Sequence, residues 1–453
     1  MIRFSHFSNR LSPLTRGFWI FALINSLLVP LTLAVLTRFS LNDAVLQETY
    51  GYYLHARQGR DSWRPMAQAI DYARGEDHPQ PIYAEIFFNR GIKFQYPPSS
   101  LLPLGAIRKL APSSAWPRVL NLISLFCFAI SIALTLRILT SGLRAAGPGS
   151  AGGRGSLEAA ALIAAALLLA LNFYPAVRAY VLGQIQVWVN ALFVVALWCW
   201  IQGNQVGAGI LVGSMCLLKP HYGLFLAWGA LRRRWGFTLT IALTALAGVI
   251  LSIAFFGWAN HMDYLHMLSF LFRHGETYYP NQSMNGLLNR LLFNGNILDF
   301  DPSSLAPYHP WVFAGTSLSS IILLLTALLL PNSAGSKGGT IDFCILGLSV
   351  TMASSIAWEH HYGILLPIYA AAMPWLVENR IFGRATIPLL AGSYALTSNY
   401  FGVVHGLAHT RFNILQSTLY IGALLLLISL HVLRARESLS ARRIRGAQLA
   451  RAK

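Results

Sequence analysis

Apolar stretches of about twenty residues recur along the whole chain, and they restrict its fold more than any other feature. Residues 18–36, 116–139 and 237–258 are three of them. A helix of about 20 apolar residues crosses the roughly 30 Å hydrocarbon core of a bilayer. Only 11% of the residues are charged, whereas about 25% is usual in soluble domains. We therefore predict an all-α integral membrane protein.

The net charge of +18 invites a nucleic-acid interpretation, but the positions of the charges argue against one. Seven lysines and arginines follow residue 433, and three arginines stand together at 232–234. Basic residues in short loops and tails mark the cytoplasmic side of membrane proteins and contact anionic lipid. We expect membrane lipids as partners, no nucleic acid, and both termini in the cytoplasm.

The apolar stretches predict a polytopic bundle of about twelve transmembrane helices. The predicted spans are residues 18–36, 116–139, 157–171, 186–201, 206–218, 222–231, 237–258, 311–330, 341–356, 362–376, 385–398 and 414–433. The short pair 206–218 and 222–231 could instead form a re-entrant hairpin. Residues 172–184 are expected to be a short polar turn between spans.

We expect residues 1–433 to form a single transmembrane domain, followed by a basic cytoplasmic tail at 434–453. Residues 39–115 form the first extracytoplasmic loop, in which 99–110 is too short and too charged for a span and is read as an interfacial helix. Residues 259–310 form a second large extracytoplasmic loop.

The polar stretch 41–98 holds seven of the sixteen carboxylates in the chain, and Asp43 opens it directly after an apolar helix. Two interpretations of Asp43 are open. It is either a helix cap or solvated loop acid, or a general base that accepts a proton from a hydroxyl nucleophile.

The predicted topology brings further polar groups to the same outer depth, where convergence on one cavity is expected. Lys219 and His221 follow an apolar stretch. Lys219 either extends its ammonium to the membrane interface or contacts a phosphate. Gln184 follows Gly183 at the end of the predicted turn.

Trp358-Glu359-His360-His361 is the densest polar group. A metal site is disfavoured because adjacent histidines on a helix point about 100° apart and the HExxH spacing is absent. Contact of a histidine with phosphate or a sugar hydroxyl, oriented by Glu359, is favoured. Asp299-Phe300-Asp301 resembles a metal-binding D-x-D, but Asp301-Pro302 also reads as a turn.

Asn281, Gln282 and Arg290 lie in the second large loop. The amides suit sugar hydroxyls, and the guanidinium suits a departing phosphate. They equally suit a loop that caps a helix, because Asn and Ser favour such positions.

Taken in order, these motifs resemble glycosyltransferase family 87 over about residues 20–380. The resemblance is carried by Asn42-Asp43 with Tyr52-Tyr53, Phe94-Gln95-Tyr96-Pro97-Pro98, Gly183-Gln184-Ile185, Leu218-Lys219-Pro220, Asn281-Gln282-Ser283 with Arg290, and Trp358-Glu359-His360-His361. One departure is Gln186, where the family favours asparagine, and it bears on a detail of donor contact.

The resemblance implies a GT-C-type membrane fold, of which polyprenol-phosphate-mannose-dependent mannosyltransferases are members, in a bacterial inner membrane. It implies an extracytoplasmic active site and a polyprenyl-phosphate sugar donor rather than a nucleotide sugar. We expect a lipid or glycan acceptor and no cofactor, and no metal is needed if cationic side chains stabilise the departing phosphate. Asp43 is then the general base. Gln184, Lys219, His221, Asn281, Gln282, Arg290, Glu359, His360 and His361 are then the candidates for binding the donor phosphate and sugar.

Two other classes of protein share much of this pattern. A transporter or lipid flippase would also have many spans, but such proteins usually show internal repeats and charged residues at the membrane midplane. We find no repeat, and the charges stand at the outer span ends. A ligase that transfers a whole lipid-linked glycan would differ from a hexosyltransferase in the mass of its product.

Overall fold

Helices make up nearly all of the regular structure in the computed structural model. The structure describes residues 11–41, 44–75, 80–110, 112, 114–145, 156–301, 305–330 and 336–451. Within these residues there is no β-strand, only one isolated antiparallel bridge between Asn281 and Trp358. The prediction of an all-helical membrane protein is confirmed.

The helices follow the apolar stretches of the sequence closely. In chain order they are α1 Pro13–Leu23, α2 Val29–Leu41, α3 Val45–Leu54, α4 Trp63–Arg74, α5 Leu101–Leu110, α6 Trp116–Ala145, α7 Ser156–Leu171, α8 Tyr174–Leu182, α9 Gln186–Ile201, α10 Gln205–Leu218, α11 Leu224–Leu231, α12 Trp235–His274, α13 Met284–Leu291, α14 Pro310–Leu329, α15 Ser336–Met352, α16 Leu365–Glu378, α17 Thr386–Ser398 and α18 Thr418–Arg451. The π-turn Ile24–Leu28 joins α1 to α2. Short 3₁₀ helices at Pro220–Gly223 and Glu359–Ile364 interrupt the pattern.

Five helices of the described chain are long and apolar enough to cross a membrane, namely Thr15–Leu41, Trp116–Leu143, Trp235–His274, Pro310–Leu329 and Asn413–Ser438. The bent pair formed by α7 and α8 makes a sixth if it counts as one span. Helix α11 has eight residues, a length of roughly 12 Å at 1.5 Å per residue. It cannot cross a bilayer alone, which fits the re-entrant alternative around Lys219. The total of twelve spans stays a prediction.

Two stretches that the sequence analysis took as loop are helical. Residues 172–184 contain α8, whose side chains are mostly buried, so the prediction of a polar turn there is wrong. The stretch is apolar apart from Arg178 and its ends, and Gly183 at φ 69° closes the helix. The first loop contains α3 and α4, and the short helix expected near its end is α5.

Helix α12 holds the first loop in place through the part that follows a break at Gly257. There φ is 74° and ψ is 158°, a conformation essentially confined to glycine. Beyond the break, Asn260 Oδ1 accepts the amide of Ile82 at 2.6 Å, and Asp263 Oδ2 accepts the amide of Tyr83 at 2.8 Å. Among the five long apolar helices of the described chain, α12 has the least buried apolar window, of which 11% is buried.

A buried ionic cluster joins three helices at the end of the bundle that carries the 232–234 arginines. The Asp342 carboxylate of α15 is fully buried and accepts from Arg434 of α18 and from Arg232 after α11, both at 2.7 Å. Trp228 Nε1 donates to the same carboxylate at 2.8 Å. One anion therefore pairs with two cations and links the segments that carry them.

Replacing Asp342 by alanine is expected to destabilise the protein by about 3–5 kcal/mol, because the two guanidinium groups lose their buried counter-charge. Glu378→Gln is the matched control, since Glu378 is exposed on α16. Unfolding temperatures of the purified variants in one detergent measure the effect. An unchanged temperature for Asp342→Ala would mean that the cluster has no structural role.

Candidate functional site

A cavity of about 790 Å³ opens between the first loop and the ends of several apolar helices. Its wall is formed by parts of α3 and α4, residues 93–97, the end of α8, residues 218–221 and residues 354–361. Its volume lies within the roughly 300–1,000 Å³ that is usual for ligand sites. Gln184, Lys219, His221, Glu359, His360 and His361, all predicted from the sequence, line it together.

Lys219 is the most unusual group in the cavity wall. It is 7% exposed, and its ammonium makes no hydrogen bond or ion pair with any residue in the described part of the chain. Helix α10 ends at this residue, which adopts an extended backbone before Pro220. Burial lowers the pKa of the Lys219 ammonium to about 7. A buried cation is costly without a counter-charge, and an anion in the cavity would supply the one that no described residue provides.

Three histidines surround the same end of the cavity. Burial, followed by the charge of Lys219, lowers the pKa of His221 to about 3 and holds those of His360 and His361 well below the usual range. The rings of His360 and His361 lie 4.8 Å apart at 84° to each other. Both lie in the 3₁₀ helix Glu359–Ile364, and both line the cavity. At neutral pH these imidazoles are neutral, so each has one donor and one acceptor nitrogen.

Glu359 and Arg178 link opposite walls. The Glu359 carboxylate accepts from the Tyr174 hydroxyl at 3.2 Å, and Arg178 donates to Thr49 Oγ1 of α3 at 2.9 Å. The charges of Arg178 and Glu359 also interact. The glutamate is therefore held by groups of α8, which agrees with an orienting role.

The Gln184 side chain is hydrogen-bonded to other residues of the cavity wall. Its Nε2 donates to Asp61, and its Oε1 accepts from Ser62 Oγ at 2.7 Å and from the Tyr96 hydroxyl at 3.0 Å. Asp61 itself is open to the cavity. Burial by the surrounding wall raises the pKa of Asp61, and the Gln184 hydrogen bond and the charge of Arg178 partly oppose this.

The close contact between the first loop and α8 depends on Gly183. A Cβ at this residue would lie 2.2 Å from the Gly59 carbonyl oxygen. The contact lets the amide of Gly59 donate to Val181 at 2.7 Å and that of Asp61 donate to Leu182 at 3.0 Å. The cavity floor is thereby fixed by backbone hydrogen bonds.

Aromatic side chains form one wall of the cavity, which the sequence analysis did not identify. The ring of Phe300 lies 5.6 Å from that of Tyr278 and 6.1 Å from that of Trp358. Lys93 Nζ stands 4.3 Å above Phe300 and pairs with Glu276 at 3.1 Å. Rings of this kind pack against apolar faces and leave polar tips for hydrogen bonds. The residues are distant in sequence, so no local pattern could have grouped them.

Residues 94–355, more than half of the chain, match glycosyltransferase family 87 in a comparison with known protein families. The chain belongs to this family. The predicted resemblance is thus confirmed, and the protein is a membrane glycosyltransferase. No match was found among curated proteins or among solved structures.

The family 87 match begins at Phe94 and ends at Ser355. It includes Lys219, but the Glu359–His361 part of the cavity wall follows its end. The cavity therefore combines residues inside the match with residues on both sides of it.

Asn281, Gln282 and Arg290 do not line the cavity in this glycosyltransferase. Arg290 is fully buried and donates to the Asn281 carbonyl at 3.0 Å and to Ser417 Oγ at 2.7 Å. The Asn281 side chain donates to Ser355 and accepts from Ala357. The Gln282 side chain donates to the carbonyls of Tyr279 and Gln416 at 2.8 Å. The three residues connect the segments that carry the aromatic and histidine walls. Their side chains are hydrogen-bonded to other protein groups and not directed into the cavity.

Asp43 lies outside the described residues, and its role as the base stays a prediction. Glu48 of α3, from the same part of the first loop, does line the cavity. Asp299 and Asp301 are exposed and do not line it. In the described chain, no group of three His, Cys, Asp or Glu residues is placed to hold a metal ion.

Proposed function

We propose that this family 87 enzyme transfers a hexose, with mannose as the first candidate, from a polyprenyl phosphate to an acceptor hydroxyl. Transfer takes place on the extracytoplasmic side of a bacterial inner membrane and inverts the anomeric centre. The observation that carries the proposal is the buried Lys219, which lines the cavity without a counter-charge from any residue that the structure describes.

The anionic end of the donor is assigned to Lys219 and the histidine pair. A polyprenyl phosphate sugar is a phosphodiester and carries one negative charge. Lys219 supplies the matching positive charge, while His221, His360 and His361 supply neutral hydrogen-bond donors. Preorganised donors of this kind stabilise charge as it develops on a leaving group, which is the largest single contribution in many enzymes.

The sugar is assigned to the wall formed by Tyr278, Phe300 and Trp358, next to Glu359. Aromatic faces accommodate the C–H face of a hexose, and a carboxylate accepts hydrogen bonds from its hydroxyls. Arg290, Asn281 and Gln282 act indirectly, because they fix the two segments that carry these groups.

In the proposed reaction the acceptor oxygen attacks the anomeric carbon as the bond between that carbon and the phosphate oxygen breaks. The electron pair of the broken bond goes to the phosphate, which leaves as polyprenyl phosphate. The hydroxyl proton passes to a carboxylate of the first loop. Asp43 is the proposed base from the family resemblance, and its rivals are Glu48 and Asp61, the described first-loop carboxylates that line the cavity.

Reconstitution tests the proposal. Proteoliposomes containing the protein receive a labelled polyprenyl-phosphate hexose and an extract of membrane lipids as acceptor. We expect a product heavier by one hexose, formed equally with and without EDTA because no step uses a metal. Transfer of a whole glycan would identify a ligase, movement of intact donor across the bilayer without transfer would identify a transporter, and EDTA inhibition reversed by Mg²⁺ would refute the metal-free mechanism.

A further inference from the structure

A second cavity, of about 210 Å³, adjoins the first. The two share Tyr52, Gly59 and Arg60, so the segment around Gly59 forms the partition between them. The far side is closed by the start of α6, from Trp116 to Asn121. The space is smaller than a usual site for a drug-sized ligand, and it suits a head group rather than a whole substrate.

The wall of the second cavity is cationic. Arg57, Arg60 and Arg118 line it, and no carboxylate does so among the described residues. None of the three guanidinium groups makes a hydrogen bond or ion pair with another described residue. Arg118 also lies in the first turn of α6, which has no acidic residue. A cation is unfavourable at that end of a helix and an anion is favourable.

The arginines stand on a backbone that is held in place from both sides. Ala56 has φ 49°, an uncommon value for a residue with a Cβ. Asn121 Nδ2 donates to the Ala56 carbonyl at 2.9 Å, and Asn121 Oδ1 accepts from the Tyr180 hydroxyl at 2.8 Å. The Gly59 amide is bound to Val181. This segment is therefore preorganised, which lowers the cost of binding a ligand.

Two polar atoms in the wall of the second cavity lack partners. Trp63 is 2% exposed, and its indole N–H makes no hydrogen bond with the described chain. The buried Gln58 Oε1 accepts none either. Buried polar atoms normally have partners, and an exception calls for an explanation. Neither atom is accessible to solvent, so a small shift of the wall must open them before a phosphate oxygen accepts from Trp63 and a neighbouring hydroxyl donates to Gln58.

We propose that the second cavity binds the anionic phosphodiester of a lipid acceptor whose head group carries hydroxyls. This inference rests on the proposed function for its acceptor role. The shared Arg60 partition brings the head group next to the donor cavity, and the hydroxyl to be glycosylated extends past Tyr52 toward it. The anion is thus recognised apart from the donor phosphate at Lys219.

The test measures equilibrium binding of soluble short-chain lipids to the full-length protein in detergent, without any sugar donor. The probes are dihexanoyl phosphatidylglycerol, which is anionic and bears hydroxyls, its zwitterionic phosphatidylcholine counterpart, and inorganic phosphate. Wild type is expected to prefer phosphatidylglycerol. The double variant Arg57→Gln/Arg118→Gln is expected to bind it about tenfold or more weakly, since charge-assisted hydrogen bonds are lost.

Arg411→Gln is the matched control, because Arg411 is exposed and lines neither cavity. Trp63→Phe keeps one aromatic ring and removes the indole N–H together with the rest of the five-membered ring, so we expect a loss of roughly 2- to 10-fold, and this variant carries the test if the arginine pair is needed for folding. Unchanged affinity in a folded double variant, or in Trp63→Phe, would overturn the proposal. So would binding of phosphate without a preference for phosphatidylglycerol.

The outcome is separable from that of the proposed function. If the arginines are needed for lipid binding but no hexose is ever transferred, the cavity remains an anionic lipid site and only the glycosyl-transfer proposal fails. If transfer occurs and lipid binding ignores the arginines, the reverse holds.

Discussion

Replacing Asp43 by asparagine is expected to lower kcat for sugar transfer by about 10²- to 10⁴-fold, the usual contribution of a general base. Asparagine keeps the size of the side chain and cannot accept a proton at neutral pH. The donor should still bind, because its phosphate contacts lie at Lys219 and the histidines, so KM for the donor should change little. Initial rates with the labelled polyprenyl-phosphate hexose measure both constants.

Glu48→Gln must be measured beside Asp43→Asn. Glu48 lines the cavity, and it lies only five residues after Asp43 in the sequence. Asp71→Asn is the matched control, since Asp71 pairs with Arg108 and does not line the cavity. If Glu48→Gln abolishes transfer while Asp43→Asn retains it, Glu48 is the base and Asp43 is structural. If both variants transfer normally, the proton goes to Asp61 or Glu359.

Replacing Lys219 by methionine is expected to lower kcat/KM for the donor by about 10- to 150-fold, because a hydrogen bond to a charged group contributes about 1.5–3 kcal/mol. The wild type should also show a particular pH dependence. Burial lowers the pKa of Lys219 to about 7, so the ammonium is charged below that pH and loses its proton above it. The donor phosphodiester keeps one negative charge throughout.

It follows that kcat/KM, which reports groups of the free enzyme, should fall about tenfold per pH unit above pH 7. Lys219→Arg keeps its charge over this range and should remove the decline. Lys109→Met serves as the control, since Lys109 is exposed on α5. A wild-type profile that stays flat from pH 6 to 9, or a Lys219→Met variant with normal kcat/KM, would show that Lys219 does not bind the donor.

The sequence was sufficient to find the long apolar helices and six of the cavity's polar residues, because both depend on local composition. Apolar stretches must become helices in a membrane, and Lys219, His221 and Glu359–His361 are conspicuous because polar groups at span ends are rare. The buried helix α8 was missed. In the sequence, Arg178 and the polar residues that flank the helix resemble a turn. Only the folded chain shows that Arg178 interacts with Thr49 and Glu359, both of which are distant in sequence.

Arg290 and the two amides near it illustrate a different limit. Their residue types suit a sugar or phosphate as well as they suit a buried scaffold, and only the positions of Ser417 and Ala357 separate the two. The same holds for the second cavity. Arg57 and Arg118 are ordinary membrane-surface arginines in the sequence, and they become a set only when α6 packs beside the first loop.

The bridge between Asn281 and Trp358 shows how far along the chain the structural unit that forms the cavity extends. Gln282 donates its amide to Ala357 at 2.8 Å, and Glu359 donates its amide to Pro280 at 2.9 Å, so two stretches on either side of Ser355 form one rigid piece. The family match stops at Ser355, inside that piece. A chain cut at this boundary would keep Asn281 and lose the backbone that pairs with it. The end of the family match therefore falls within one hydrogen-bonded unit of the structure. His360 and His361 follow that end in the sequence, but they belong to the same structural unit as the matched residues.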